Sequence, residues 1–203
     1  MKRTLRYVLL LVLSLAALAH AQQFNMGFGV SALGSPTSNL ESFGKQGMGG
    51  GAYLSFSGDF IFWKQVGVQG EVAWRASENL YQGFQPYRTI FYDFNGIYAP
   101  SLGRHASLEL LGGIGAASHR FYTPFVTCSF TSCTNYVSSN HFMWHTGAGI
   151  KIYLTDRVFI RPEAHGYFIH NNVEFSDNIA YRFGASLGYT FGERETHEKR
   201  RRY

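Results

Sequence analysis

The chain has 203 residues, Lys+Arg 18 against Asp+Glu 13, and a formal net charge of +5. Only 15% of residues are charged while 17% are aromatic, with 23 glycines and 5 prolines, a composition that excludes a disordered or collagen-like chain. No apolar run of about 18 residues follows the N-terminal segment, which excludes a bundle of membrane-spanning helices. A membrane barrel stays open, because its spans alternate between apolar and polar residues and average out.

The basic excess resides at the two ends. Lys2, Arg3 and Arg6 precede an apolar stretch over residues 7–19 that ends in Ala19-His20-Ala21. A charged segment, a short apolar segment and a small-x-small site in that order predict a secretory signal over 1–21, cleaved after Ala21. Residues 193–203 hold five basic and three acidic residues and read, with Gly192, as a charged periplasmic tail. The body, 22–191, is left with ten basic and ten acidic residues, so the electrostatic footprint of a nucleic-acid binder is missing and no nucleic-acid partner is expected.

Along the body the period is two nearly everywhere. In residues 24–32, Phe24, Met26, Phe28, Val30 and Ala32 alternate with Asn25, Gly27, Gly29 and Ser31. Residues 51–57 set Ala52, Leu54 and Phe56 against Tyr53, Ser55 and Ser57, and residues 66–75 set Val66, Val68, Val72 and Trp74 against Gln69, Glu71 and Arg75. The fourth run, 89–98, places Ile90, Tyr92, Phe94 and Tyr98 opposite Thr89, Asp93 and Asn95, with Phe91 and Ile97 out of pattern. In 108–117, Leu108, Leu110, Ile114 and Ala116 oppose Glu109, Gly113, Gly115 and Ala117. Residues 141–154 set Phe142, Trp144, Ala148, Ile150 and Ile152 against His141, His145, Gly147, Gly149, Lys151 and Tyr153. Residues 158–168 set Val158, Ile160, Ala164 and Phe168 against Arg161, Glu163, His165 and Tyr167. The last run, 179–191, sets Tyr181, Phe183, Leu187, Tyr189 and Phe191 against Arg182, Gly184, Ser186, Gly188 and Thr190.

Eight strands of about ten residues match the length needed to cross a bilayer at a tilt. A soluble barrel would put Lys, Glu and Asp throughout its polar face; here that face is mostly Gly, Ser, Thr and Gln with scattered charges of both signs. The pattern predicts a membrane barrel with apolar residues toward lipid and a polar interior. Glu71, Arg75, Asp93, Glu109, Lys151, Arg161, Glu163, His165 and Arg182 are then lumenal, and buried charges need partners, so an interior ionic network is expected. Connections of about 17, 10, 20 and 9 residues alternate with short ones of about 7, 8 and 3, as expected of long external loops and short periplasmic turns. Phe60, Phe62, Trp63 and Tyr98 would form one aromatic girdle, and Trp74, Tyr81, Phe84, Tyr87, Phe121, Tyr122, Trp144 and Tyr181 the other. Pro162 lies inside a strand of a barrel that has no edge, which predicts a bulge over 161–163.

Export implies an oxidising compartment, so Cys128 and Cys133 are expected to form a local disulfide that pins a loop tip. Zinc would need further ligands, and the flanking His119 and His141 show no finger spacing. His105 and His119 fall in connections and His170 opens a loop. His141 and His145 share a strand face about 13 Å apart, too far for one ion. No metal, cofactor or catalytic residue is assigned.

These features, with a last strand ending Gly188-Tyr189-Thr190-Phe191-Gly192, resemble the outer-membrane β-barrel domain family of OmpA/OmpX-like proteins. The resemblance implies an integral, monomeric protein of the outer membrane of a diderm (Gram-negative) bacterium, embedded in lipid and lipopolysaccharide. It also implies that Tyr189 and Phe191 are the assembly signal read by the barrel-assembly machinery.

Four functions fit to different degrees. A structural or surface-interaction barrel leads, because an eight-stranded barrel is just wide enough to be filled by its own side chains. Its best contact candidate is the loop 120–140, with Phe121, Tyr122, Phe125, Phe130 and Tyr136, whose rings could instead fold over the barrel mouth. A narrow channel for small or hydrophobic solutes is the alternative, suggested by inward Gly113, Gly115, Gly147, Gly149, Gly184 and Gly188. A lipid A-modifying enzyme ranks lower: Tyr167 stands where a serine nucleophile beside His165 would be needed. A soluble exported β-protein comes last.

Overall fold

The computed structural model describes residues 23–36, 46–48, 50–63, 65–128 and 133–192; the segment expected to be a signal, and the tail beyond Gly192, lie outside them. The strands are β1 (Gln23–Gly34), β2 (Ala52–Trp63), β3 (Val66–Arg75), β4 (Asn79–Tyr81), β5 (Gln85–Tyr98), β6 (Ala106–Cys128), β7 (Cys133–Tyr153), β8 (Val158–Ile169) and β9 (Ile179–Phe191). Neighbours in sequence pair antiparallel, β1 also pairs with β9, and β3 pairs with β5 past the three-residue spur β4, so the sheet closes into an eight-stranded barrel.

Alternation decides which side chain meets which solvent. Phe28, Phe94, Trp144 and Phe183 stand at least half exposed on the outer wall, whereas Asn25, Asn95 and Arg182 are fully buried inside. A wall of bare aromatic and aliphatic residues is stable against hydrocarbon, and closure satisfies every strand edge within it.

Phe91 and Ile97, out of pattern in the sequence, point inward with Asn95 and Asp93 between them. Phe91 joins a large lumenal cluster with Tyr53, Met143 and Tyr167; Ile97 joins Ile61 and Leu111 at the short-turn end. The interior is therefore polar in the middle and apolar toward both ends.

Three expectations are corrected. No bulge accommodates Pro162: the β8–β9 register runs straight through Arg161↔Ser186, Pro162↔Ala185 and Glu163↔Gly184. On the β7 side the rungs opposite Arg161 and Pro162 are missing, yet Gly149↔Glu163 and Ile152↔Ile160 keep one register. The missing donor costs a local gap in one ladder and no extra residue, since the ring itself faces outward.

The described residues of 120–140 are strand rather than loop. β6 and β7 continue as a hairpin, paired up to Tyr122↔Tyr136 and, after a register shift, Thr127↔Thr134 and Cys128↔Cys133. β8 stops pairing with β7 at Met143↔Ile169, so the upper part of the hairpin stands clear of the barrel on that side. Phe130 lies outside the described residues.

Third, the girdle near the long loops is smaller than expected. Trp144 and Tyr181 face outward, but Tyr81, Tyr87 and Phe121 pack against one another inside the barrel mouth.

Candidate functional site

The lumen is built in layers. At its centre Arg161, projected inward from β8, gathers carboxylates from three other positions around the wall. Its Nε donates to Glu163 Oε2 at 2.7 Å and its Nη1 lies 3.0 Å from Glu109 Oε2 and 3.5 Å from Asp59 Oδ2. Nη2 donates to Ser57 Oγ at 2.9 Å, and Lys151 Nζ lies 2.8 Å from Asp59 Oδ2 and 2.5 Å from Glu109 Oε1. These charges are all under a tenth exposed. Pairs so far from water hold only because each carboxylate meets more than one donor.

A second branch runs toward the long-loop end. Gln69 Nε2 donates to Asp59 Oδ1 at 2.9 Å, and Asn95 Nδ2 donates to Gln69 Oε1 at 3.2 Å and to Asp93 Oδ1 at 2.5 Å. His145 Nδ1 lies 2.7 Å from Asn95 Oδ1 and its Nε2 lies 2.9 Å from His165 Nδ1. His165 Nε2 lies 3.6 Å from Glu163 Oε1, and Arg182 pairs with Glu71.

Besides Glu71 and Arg182, which meet each other, six of the nine charged or histidine positions read from the sequence thus meet in this network. Arg75 does not: it is buried one layer higher, its Nη1 donating to Tyr87 Oη at 3.3 Å, with no carboxylate in ion-pairing distance among the described residues. It sits at the last residue of β3, above the level of the acids.

Asp59, which bridges Lys151 and Arg161, lies two residues beyond the second run of the sequence, on the same face as Ser57. Extending the alternation two residues along Ser55-Phe56-Ser57-Gly58-Asp59 would have found it. Gln69, Asn95 and His145 were on the inner face in the sequence, but uncharged groups carry no demand for a partner that spacing can reveal.

Above this layer Phe91 stacks on Tyr167 at 4.4 Å, His145 on Tyr167 at 4.9 Å, and Tyr53 lies 5.9 Å from Phe91. The mouth is then closed by the segment between β8 and β9. Phe175, buried, packs on Tyr81, Tyr87 and His119 at 5.5, 5.2 and 4.8 Å. Glu174 is tied down by His141 Nε2 at 2.7 Å and its carbonyl accepts from Tyr81 Oη at 2.7 Å. Ser176 N donates to Gln46 O at 3.1 Å, which joins the first long loop to this lid. Burial pushes the Glu174 carboxyl up, but the Ser139 hydrogen bond, its own backbone and the histidines His141 and His119 outweigh that and hold it below its ordinary value.

His119, expected in a connection, is a fully buried lumenal residue of β6 whose Nδ1 lies 3.0 Å from Thr89 Oγ1.

Ser139, His141 and Glu174 bring together the residue types of a hydrolase, but not their arrangement. Ser139 Oγ at 3.1 Å and Glu174 Oε2 at 2.7 Å both address His141 Nε2. A relay needs the carboxylate on the opposite ring nitrogen, so this imidazole cannot draw a proton from the serine while oriented by the acid. His165, the candidate base of the enzyme reading, is stacked between lumenal groups and bonded to His145.

At the short-turn end a cavity of about 40 Å³, lined in part by Gln23, Tyr153, Glu109 and Lys151, stops at the ionic layer. The inward glycines do not leave a gap either. A Cβ at Gly188 would strike the Phe159 ring, one at Gly149 would lie 3.1 Å from Arg161 Cγ, and one at Gly147 3.0 Å from His165 Nδ1.

Cys128 and Cys133 are disulfide-bonded across the hairpin tip. Tyr189 and Phe191 end β9 on the outer wall near the short turns, their rings 4.7 Å apart, with Phe24 5.8 Å from Phe191 and Arg157 Nη1 donating to Tyr189 Oη at 3.1 Å. No group of three or more His, Cys, Asp or Glu is placed to hold a metal among the described residues.

A family model described as the outer membrane protein beta-barrel domain matches residues 7–191. Among solved structures, Ail, the attachment invasion locus protein of Yersinia pestis, aligns at 15% identity and a TM-score of 0.53, covering 84% of this chain and 97% of its own; that structure is a complex with the heparin analogue sucrose octasulfate. The N-terminal β-barrel domain of Pseudomonas aeruginosa OprF aligns at 13% identity and 0.52, covering 84% and 98%. Neisserial surface protein A aligns at 8% identity and 0.58, covering 84% and 97%. At these identities the likeness is one of fold. No curated protein matches the chain.

Proposed function

Because the chain belongs to the outer membrane protein beta-barrel domain family, we propose that this outer-membrane barrel is a plugged, non-enzymatic scaffold that displays its long loops and the β6–β7 hairpin for contact at the cell surface. The filled lumen carries the reading: among the described residues an ionic layer lies between apolar ends, under a lid anchored by Phe175. Against the narrow-channel alternative, the space at three of the six inward glycines, Gly188, Gly149 and Gly147, is occupied by Phe159, Arg161 and His165. The hairpin supports the display role, since Phe125, Val126 and Val137 are among the most exposed apolar residues of the molecule and the disulfide holds their tip.

Export by a signal cleaved after Ala21, assembly through Tyr189 and Phe191, a monomeric state and a periplasmic tail complete the proposal. In planar bilayers the refolded protein is expected to give no stable conductance steps. Discrete, reproducible steps would overturn the plugged scaffold and restore the channel.

A further inference from the structure

On the outer wall, just beyond the apolar belt, two arginines face each other. Arg88 of β5 pairs directly with Arg120 of β6, and Arg120 with Ser138 of β7. Their strand neighbours Thr89 and His119 are fully buried in the lumen, so alternation turns both guanidiniums outward. Like charges directly opposite on a ladder repel, and the arrangement is stable only if something offsets them.

Among the described residues no negative charge does. Arg88 Nε is shielded from solvent and has no hydrogen-bond partner. Arg120 Nη2 donates to Tyr92 Oη at 3.3 Å, and its guanidinium lies 4.8 Å from the Tyr136 ring centre. Both contacts orient the group without neutralising it. Among the described residues no carboxylate ion-pairs with either arginine, including Glu78 just before β4.

What lies below points to the partner. Toward the short turns the same face continues through Tyr92, Phe94, Ile114, Phe142 and Trp144, all exposed and apolar. Arg88 precedes Tyr92 by four residues, about 13 Å along a strand, which puts the pair at the depth where headgroups begin. A shallow depression on the outer wall, lined in part by Phe56, Gly70, Val72, Tyr92, Phe94 and Ala116, runs down from Tyr92, where Gly70 and Ala116 give the wall no bulk. It has the form of a bed for an acyl chain.

We propose that Arg88 and Arg120 bind a phosphate on the headgroup of an outer-leaflet lipid whose acyl chain lies along that depression. The site deepens the proposed function by naming a membrane partner, and it rests on the barrel's placement in the outer membrane. Guanidinium pairs suit the phosphate because they present several N–H donors in fixed planes and stay charged.

The test uses the refolded chain in detergent micelles, with native mass spectrometry reading the lipid retained from added bis-phosphorylated lipid A or from the same lipid with its phosphates removed. The phosphorylated form is expected to be held at least about tenfold better, the size of one or two charge-assisted hydrogen bonds. R88Q/R120Q abolishes that preference and R88K/R120K keeps part of it. Heat-modifiable gel mobility of each variant reports folding; should the double Gln variant not fold, R120Q alone is read, with at least a threefold loss expected. Equal retention of the two lipids, or an unchanged preference in a folded Gln variant, would overturn the site. Full displacement by inorganic phosphate at equal concentration would make it a free-phosphate site and overturn the lipid proposal. A wild-type chain that stays soluble without detergent and shows no heat-modifiable mobility would instead overturn the membrane placement.

Discussion

Arg161 shows how much one residue carries inside a narrow barrel. It touches Asp59, Glu109, Glu163, Ser57 and Ser186, which come from β2, β6, β8 and β9. Replacing it by Gln removes the cation shared by three buried carboxylates and leaves Asp59 and Glu109 to Lys151 alone, and removal of one partner of a buried pair costs about 3–5 kcal/mol. Arg161→Gln is therefore expected to lower the urea midpoint of refolded protein in micelles by that equivalent, whereas Arg75→Gln, without a carboxylate to abandon, costs less than half as much. Gly188 makes the complementary case for space. It faces the lumen against the Phe159 ring, so Gly188→Leu should give no heat-modifiable species, and Phe159→Ala should recover part of it. Both residues were placed on the inner face by alternation alone, but which neighbours they serve was invisible until strands distant in sequence were brought together.

At the level of elements, β8 shows that a proline in a closed barrel need not shift a register. Pro162→Val supplies the missing donor toward β7 and is expected to be neutral or to stabilise by up to about 1 kcal/mol, the net worth of one hydrogen bond, read from the same urea midpoint. The lid between β8 and β9 is a more responsive element. Since the Glu174 carboxyl is held below its ordinary value, its contact with His141 contributes fully above the usual carboxylate range and is lost as pH falls through the lowered value. Protection of the amides of residues 170–178, relative to their intrinsic exchange rate at each pH, should accordingly be high and flat at neutral pH and fall only in acid. Glu174→Gln should show low protection already at neutral pH; identical protection profiles for the two proteins would remove the latch. The disulfide at the hairpin tip closes a very short loop and constrains little of the unfolded chain, so its reduction should leave heat-modifiable mobility unchanged.

For the whole molecule, the eight strands and their faces were legible in the sequence, because a barrel wall in lipid imposes a period of two on each strand separately; the alternation of long and short connections failed at β6–β7, where the expected long loop is mostly strand. Phe91 and Ile97 broke the pattern for a reason of molecular scale: the lumen is polar only in its middle, and apolar layers close it toward each end. The length of β6 and β7 was not legible either. The run Val137-Ser138-Ser139-Asn140 has the polarity of a loop, and only pairing with the facing strand makes it a ladder. Tyr81, Tyr87 and Phe121 read as girdle residues since an aromatic at a strand end suits a membrane interface and a barrel mouth equally well.

The sequence by itself determined the class of fold, the compartment it suits and which side of the wall nearly every strand residue occupies, all of them local consequences of alternation. The tertiary structure decided the rest: that Asp59 bridges Lys151 and Arg161, that Arg75 stands outside the ionic layer, that a lid seats Phe175 in the mouth, and that Arg88 meets Arg120. Each of these depends on register and closure, which set two strands against each other at one level. No property of a single strand contains that information.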